Sequence, residues 1–154
     1  MQTQTHPTQS NEIKEITVTE QDKNPSQGHN RDTNQDTQVS EDLARKQLLA
    51  EQNDYFREHC KPVNIRGEIY VTRGVHDMGF EAMSTILLAV AQFNNFTEDN
   101  DPMGLHDFGS FDMFGKTFFW KIDYYDSNKE YGSEDPTDPE KTFRVLTVML
   151  AEEY

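Results

Sequence analysis

DFGSFDMFGKTFFWKIDYYD, residues 107 to 126, decides how this chain folds. Gly115 divides it into two runs of strand length, which reads as a β-hairpin. In the second run Phe118, Trp120, Ile122 and Tyr124 fall on one face, and Phe119, Lys121, Asp123 and Tyr125 fall on the other. Successive strand side chains point to opposite sides of a sheet, so one face is core and the other presents acid and lysine. That alternation accounts for an unusual mixture: residues 96–126 carry seven carboxylates and two lysines among nine aromatic side chains.

Working outward, "GEIYVTRGV" (67–75) is short and β-branched between Gly67 and Gly74, a strand with Ile69 and Val71 on one face. "FEAMSTILLAVAQFNNF" (80–96) places Met83, Ile86, Leu87, Val90 and Phe93 at helical spacing and predicts the central buried helix. "SEDLARKQLLAEQNDYFREHC" (40–60) predicts a helix capped by Ser40, with acids in its first turn, an apolar stripe at Leu48, Leu49, Tyr55 and Phe56, and a stop at Pro62. The loops "TEDNDPMGLH" and "SNKEYGSEDPTDPE" are rich in turn formers. The C-terminal "FRVLTVML" has the composition of a strand, but Asp138-Pro139-Glu140 ahead of it supplies a helix cap, a first-turn proline and a first-turn acid. Following that start signal gives the order α-β-α-β-β-α. The expected fold is α+β, a small antiparallel sheet with a central hairpin packed against helices.

The 154 residues correspond to one domain, but the formal charge of −14 is unevenly supported by structure-forming residues. Residues 1–39 contain no Phe, Trp or Tyr and are dominated by Gln, Thr, Asn and Asp. Such a segment cannot bury enough apolar surface to offset its ordering entropy and is expected to be a disordered tail. Ile13, Ile16 and Val18 alternate within it as in a strand, without partners. The expected domain is residues 40–154, with a net charge of −11. Acidity of that size repels nucleic acid and anionic membranes and favours basic proteins. Cys60 is the only cysteine, so there is no internal disulfide and no cysteine metal site. No signal-peptide pattern and no membrane-length apolar run occurs, so a soluble cytoplasmic protein is expected.

Glu98, Asp99, Asp101, His106 and Asp107 are oxygen and nitrogen donors within ten residues, the raw material of a Mg²⁺ or Ca²⁺ site. An EF-hand alignment puts Asp99, Asp101 and Gly104 in place but sets Met103 where an oxygen ligand belongs and Ser110 where a bidentate Glu belongs. A metal-dependent hydrolase or nuclease built from Asp107, Asp112, Lys121 and Asp123 is the alternative class, though no basic patch is present to hold a phosphate backbone. Nucleophilic chemistry has less behind it: there is no G-x-S-x-G elbow, and His59-Cys60 are helix neighbours that point apart. No catalytic residue and no cofactor is assigned.

Five stretches resemble a bacterial family known as domain of unknown function 3768. They are "NDYFR" (53–57), "VTRGV" (71–75), "FTEDNDPMGLHDFGSF" (96–111), "FFWKIDYYD" (118–126) and "RVLTVMLAEEY" (144–154). Arg73 and the "HDMGFEA" after Val75 depart from the small apolar residues usual in the family at that turn. The resemblance brings no activity, cofactor or catalytic residue. It implies a setting: proteobacteria, their plasmids and mobile elements, often near anti-restriction and conjugation genes.

The leading expectation is a small acidic binding protein, a mobile-element accessory that engages a basic nucleic-acid-handling protein such as a restriction or CRISPR component. Twelve carboxylates and three lysines between residues 96 and 140 can imitate the phosphates of a duplex. The partner-binding residues expected are Glu98, Asp99, Asp101, Asp123, Tyr125, Asp126, Tyr131, Glu134 and Asp135. Tyr125 and Tyr131 supply the aromatic anchors common at interfaces, and Tyr124 is expected to pack within the sheet.

Overall fold

A computed structural model describes residues 33–59 and 63–154. Of the tail expected to be disordered over residues 1–39, residues 1–32 lie outside the described residues, as do the Ile13–Val18 alternation, Cys60 and the stop at Pro62. Residues 33–39 are helical, a correction to that expectation. The fold is α+β, as the sequence implied. Helix α1 (Thr33–Glu58) is followed by β1 (Arg66–Val71), a one-turn helix α2 (Arg73–His76) and α3 (Phe80–Ala91). Then come β2 (Phe108–Met113), β3 (Lys116–Tyr125), β4 (Phe143–Leu150) and a 3₁₀ turn at Ala151–Glu153. The strands form one sheet in the order β1-β4-β3-β2.

The hairpin is as predicted. Met113 pairs with Lys116, and the two residues between them, Phe114 and Gly115, both have positive φ (52° and 71°). That is the geometry of a two-residue turn whose twist matches the flanking strands, and only the second position has the residue that adopts it without strain. Phe118, Trp120 and Ile122 are buried on the face turned toward the helices, with Leu146, Val148 and Leu150 of β4 beside them. Ile86 and Val90 of α3, Val75 of α2 and Phe56 of α1 complete the core. Gly109 of β2 lies opposite Trp120, and a Cβ there would collide with the indole ring.

Two elements end earlier than expected, the strand read over 67–75 at Val71 and the helix read over 80–96 at Ala91, and three further expectations are corrected. The C-terminal segment is strand β4, not a helix, and it lies at the centre of the sheet, antiparallel to β3 and parallel to β1. The sheet is therefore mixed rather than antiparallel, and the order ends in a strand. Asp138 starts no helix: its carboxylate accepts the Glu140 N–H (2.9 Å), closing a tight turn that feeds the strand. A central strand contacts neighbours on both edges, which suits the β-branched run of residues 143–150. Second, α1 begins at Thr33, so Ser40 lies inside it rather than capping it. Third, the buried stripe of α1 is Leu49, Ala50, Asn53, Phe56 and Arg57, while Leu48 and Tyr55 are exposed. The stripe keeps helical spacing but includes two polar residues that a hydrophobicity count places outside.

Candidate partner-binding surface

The polar residues of the α1 stripe organise the acid-rich loop between α3 and β2. Arg57, 3 % exposed, donates from one terminal nitrogen to the Val90 and Ala91 carbonyls (2.7 and 2.9 Å), covering the C-terminal end of α3, where the Val90 carbonyl also accepts the Phe93 N–H. Its other terminal nitrogen pairs with Asp54 (2.8 Å), and its guanidinium lies over the Trp120 and Phe96 rings. Asp54 in turn meets His106 Nδ1 at 2.8 Å. The His106 ring stacks flat on Phe96, 3.8 Å between centroids. Asn53 donates to the Leu105 carbonyl (2.8 Å) and to the Tyr124 hydroxyl (2.6 Å), and accepts from Arg144 Nε (3.1 Å).

Within this frame Asp101 is structural. Its two carboxylate oxygens accept the N–H groups of Leu105 and His106, each at 3.0 Å, and its side chain is 7 % exposed. Those bonds hold His106 at φ 54°, a conformation that residues other than glycine rarely adopt. Asp107 accepts from the Tyr124 hydroxyl (3.2 Å). Burial holds its carboxyl above the ordinary carboxylate range, with the Asp101 and Asp123 charges acting in the same direction. Burial also raises the Tyr124 hydroxyl, and it lowers the Arg144 guanidinium. His106 and Asp107, adjacent in sequence, thus serve different partners.

Of the donors weighed for a metal, Asp101 and His106 approach each other, with 3.8 Å between carboxylate and Nε2, but the set as a whole does not converge. Glu98 and Asp99 sit exposed at a turn tip that Asn100 fastens, its Oδ1 accepting the Thr97 N–H and its Nδ2 donating to the Asn95 carbonyl. Asp112 accepts from Thr117 across the hairpin (2.6 Å), and Asp123 pairs with Lys121 of its own strand (2.7 Å). Among the described residues no group of three or more His, Cys, Asp and Glu side chains is arranged to hold a metal ion.

The other expected contacts gather on the connection from β3 to β4. Asp126, Ser127, Tyr131, Gly132, Glu134 and Lys141 line a groove of about 450 Å³. Asp126 shapes it by accepting the Glu130 N–H (2.9 Å) and the Tyr131 N–H (3.4 Å), which leaves the Tyr131 ring 72 % exposed. Glu134 is exposed at the groove and makes no side-chain bond among the described residues. Tyr125 lies half-buried on the open sheet face beside Phe143. Asp135 is committed internally: it accepts from Arg45 (2.8 Å) and from the Thr137 hydroxyl and N–H (2.6 and 3.1 Å). The Thr137 hydroxyl bond, with the Thr137 N–H and nearby Arg45 and Lys141, holds its carboxyl below the usual range. The structure brings Asp126, Tyr131 and Glu134 together. Glu98 and Asp99 stand on a separate loop and do not line the groove.

Sequence reading missed Asn53, Asp54, Arg57 and Arg144. The signal was present in "NDYFR" and in the position of Arg144, on the inward register of β4 opposite Tyr124. A charged residue in phase with core residues announces a buried network.

The fold and its surface define a small acidic α+β domain whose loops are fastened by carboxylates. Residues 71–153, more than half of the chain, match the family described as protein of unknown function (DUF3768), and the chain belongs to that family. The match begins at the last residue of β1, so "NDYFR" precedes it. No curated protein and no solved structure matches the chain. Among the described residues no helix is long and apolar enough to cross a membrane.

Proposed function

We propose that this protein is a non-catalytic binding protein that presents surplus carboxylates to a basic, nucleic-acid-handling partner. The observation that carries the reading is the unequal use of charge. Every arginine among the described residues has an internal partner: Arg45 has Asp135, Arg57 has Asp54, Arg66 has Ser127 and the Glu140 carbonyl, Arg73 has Asp77, and Arg144 has Gln52 and Asn53. Lys116, Lys121 and Lys129 likewise meet Glu152, Asp123 and Glu68, which leaves only Lys46 and Lys141 without a salt bridge among the described lysines, against a larger number of unpaired carboxylates. Glu98, Asp99 and Glu134 are left exposed without side-chain bonds, on loops whose backbones are held by neighbouring side chains: Asn100 accepts the Thr97 N–H, Asp101 those of Leu105 and His106, and Asp135 that of Thr137. Negative charge held at fixed positions competes with phosphates for a basic groove and speeds encounter with it. The setting implied by the family resemblance supports a mobile-element accessory, and a restriction or CRISPR component as the partner class. A divalent-metal hydrolase, the other class raised by the sequence, would need a metal-holding group, and none is arranged among the described residues.

The test is capture from bacterial lysate by the immobilised full chain, with identification of bound proteins at low and raised salt. Basic nucleic-acid-binding proteins are expected, released as salt screens the exposed charges. A folded Glu98→Gln, Asp99→Asn, Glu134→Gln variant is expected to lose them, mainly through slower association. Capture that is indifferent to salt and to the triple substitution would refute the proposal.

A further inference from the structure

Among the described residues strand β1 is an edge of the sheet, bonded only to β4. The Thr72 N–H donates to the Val148 carbonyl (2.9 Å). Backbone groups of successive strand residues point alternately to the two sides, so Gly67, Ile69 and Val71 direct their N–H and C=O groups away from β4. A groove of about 510 Å³ runs along Gly67–Val71 and is floored by Met83 and Leu87 of α3. Phe80, three residues before Met83 and seven before Leu87, extends the same helix stripe and is 77 % exposed. Natural edge strands are usually blunted by uncompensated charged side chains, lysine above all, by proline or by a bulge. The two charges of this strand, Arg66 and Glu68, are both engaged by neighbours. The segment Arg66–Val71, RGEIYV, has no lysine or proline, and its six residues pair with β4 without interruption.

The charge along this edge selects the occupant. Elsewhere the protein is acidic, but here Arg66 bonds Ser127 and the Glu140 carbonyl, and Glu68 bonds Lys129 and Tyr70. The edge is a neutral strip that offers a basic partner no uncommitted carboxylate and opposes an acidic protein with no net charge. It is also self-complementary. An antiparallel pairing centred on Ile69 sets Ile69 against itself and Gly67 against Val71, which joins the outward backbone groups in register. The same register sets Glu68 opposite Tyr70, so no two like charges face each other. We propose that β1 pairs with β1 of a second copy of this chain about a two-fold axis through Ile69, making one continuous eight-stranded sheet and merging the two apolar grooves.

Sedimentation velocity of the full chain over a range of concentrations tests this. The expected species has twice the 17.9 kDa chain mass and dissociates on dilution. Leu87→Lys, which places like charges in the merged groove, is expected to be monomeric with an unchanged circular dichroism spectrum. Should that variant not fold, amide exchange on the native chain decides. The Gly67, Ile69 and Val71 amides are expected to be protected at concentrations where the dimer forms and to exchange freely where it dissociates. A chain that is monomeric throughout overturns the proposal, and so does a dimer in which those three amides exchange freely.

Discussion

Asp107 and Asp135 are the same amino acid in opposite settings, and the contrast gives the pH behaviour its sign. Burial holds the Asp107 carboxyl above its ordinary range, so the folded state binds a proton more readily than the unfolded chain there. Its ionisation therefore costs stability as pH rises from the unfolded carboxylate range, about 4, through the folded value. Asp107→Asn keeps an oxygen for the Tyr124 hydroxyl and removes that slope. Urea unfolding across this range is expected to show the native chain losing stability toward neutral pH relative to the variant; parallel curves would contradict the assignment. Asp135 runs the other way, since its lowered carboxyl contributes only above its unfolded range and ceases to contribute as pH falls through the folded value. Trp120 gives the plainest residue-scale expectation. It is fully buried, with Phe93 and Phe96 edge-on and Arg57 over its ring. Trp120→Ala is expected to cost about 3–5 kcal/mol by chemical denaturation, and native fluorescence is expected to be blue-shifted.

At the scale of elements, period-2 and period-3.6 patterns were legible where one face alone is buried. The hairpin, the inward set Phe118, Trp120 and Ile122, and α3 all follow from spacing. Strand β4 was ambiguous because a central strand is apolar on both faces and loses its alternation, leaving the Asp-Pro-Glu signal to mislead. The stripe of α1 was misread because burial there includes Asn53 and Arg57, whose partners are backbone carbonyls and side chains distant in sequence. Those partners also explain why the site was half legible. Composition located the carboxylates, but whether Asp101 faces solvent or a backbone N–H depends on a loop conformation that α1 imposes. Arg57 makes this testable. Arg57→Lys keeps the charge but cannot reach the Val90 and Ala91 carbonyls and Asp54 together. It is expected to cost about 3 kcal/mol, the lower end for a broken buried pair because Asp54 is partly exposed. Amide exchange at Gln92 and Phe93, whose N–H groups bond the last turn of α3, is expected to accelerate. A lysine variant as stable as the native chain would show that the end of α3 does not depend on the fork geometry.

For the molecule as a whole, the carboxylates divide into those that fasten loops and those left over, and this division predicts opposite outcomes from equal changes of charge. Asp101, Asp126 and Asp135 each accept backbone N–H groups at turns. Changing all three to alanine removes three charges and frees those donors, at about 1 kcal/mol per site. The sum, about 3 kcal/mol, corresponds to a fall in melting temperature on the order of 10 °C for a domain of this size. Changing Glu98, Asp99 and Glu134 to alanine removes the same three charges from exposed positions that hold nothing in place. With a net charge of −14 the native chain repels itself, so this second variant is expected to melt at the native temperature or slightly above it. Salt separates the two further: added salt is expected to stabilise the native chain more than the second variant, because the variant has less repulsion left to screen. Under the proposed function the order is expected to reverse in binding, the second variant keeping the fold and losing the captured partner. Equal destabilisation by both sets would mean that the acids act only through total charge, and the distinction between fastening and surplus carboxylates would fall.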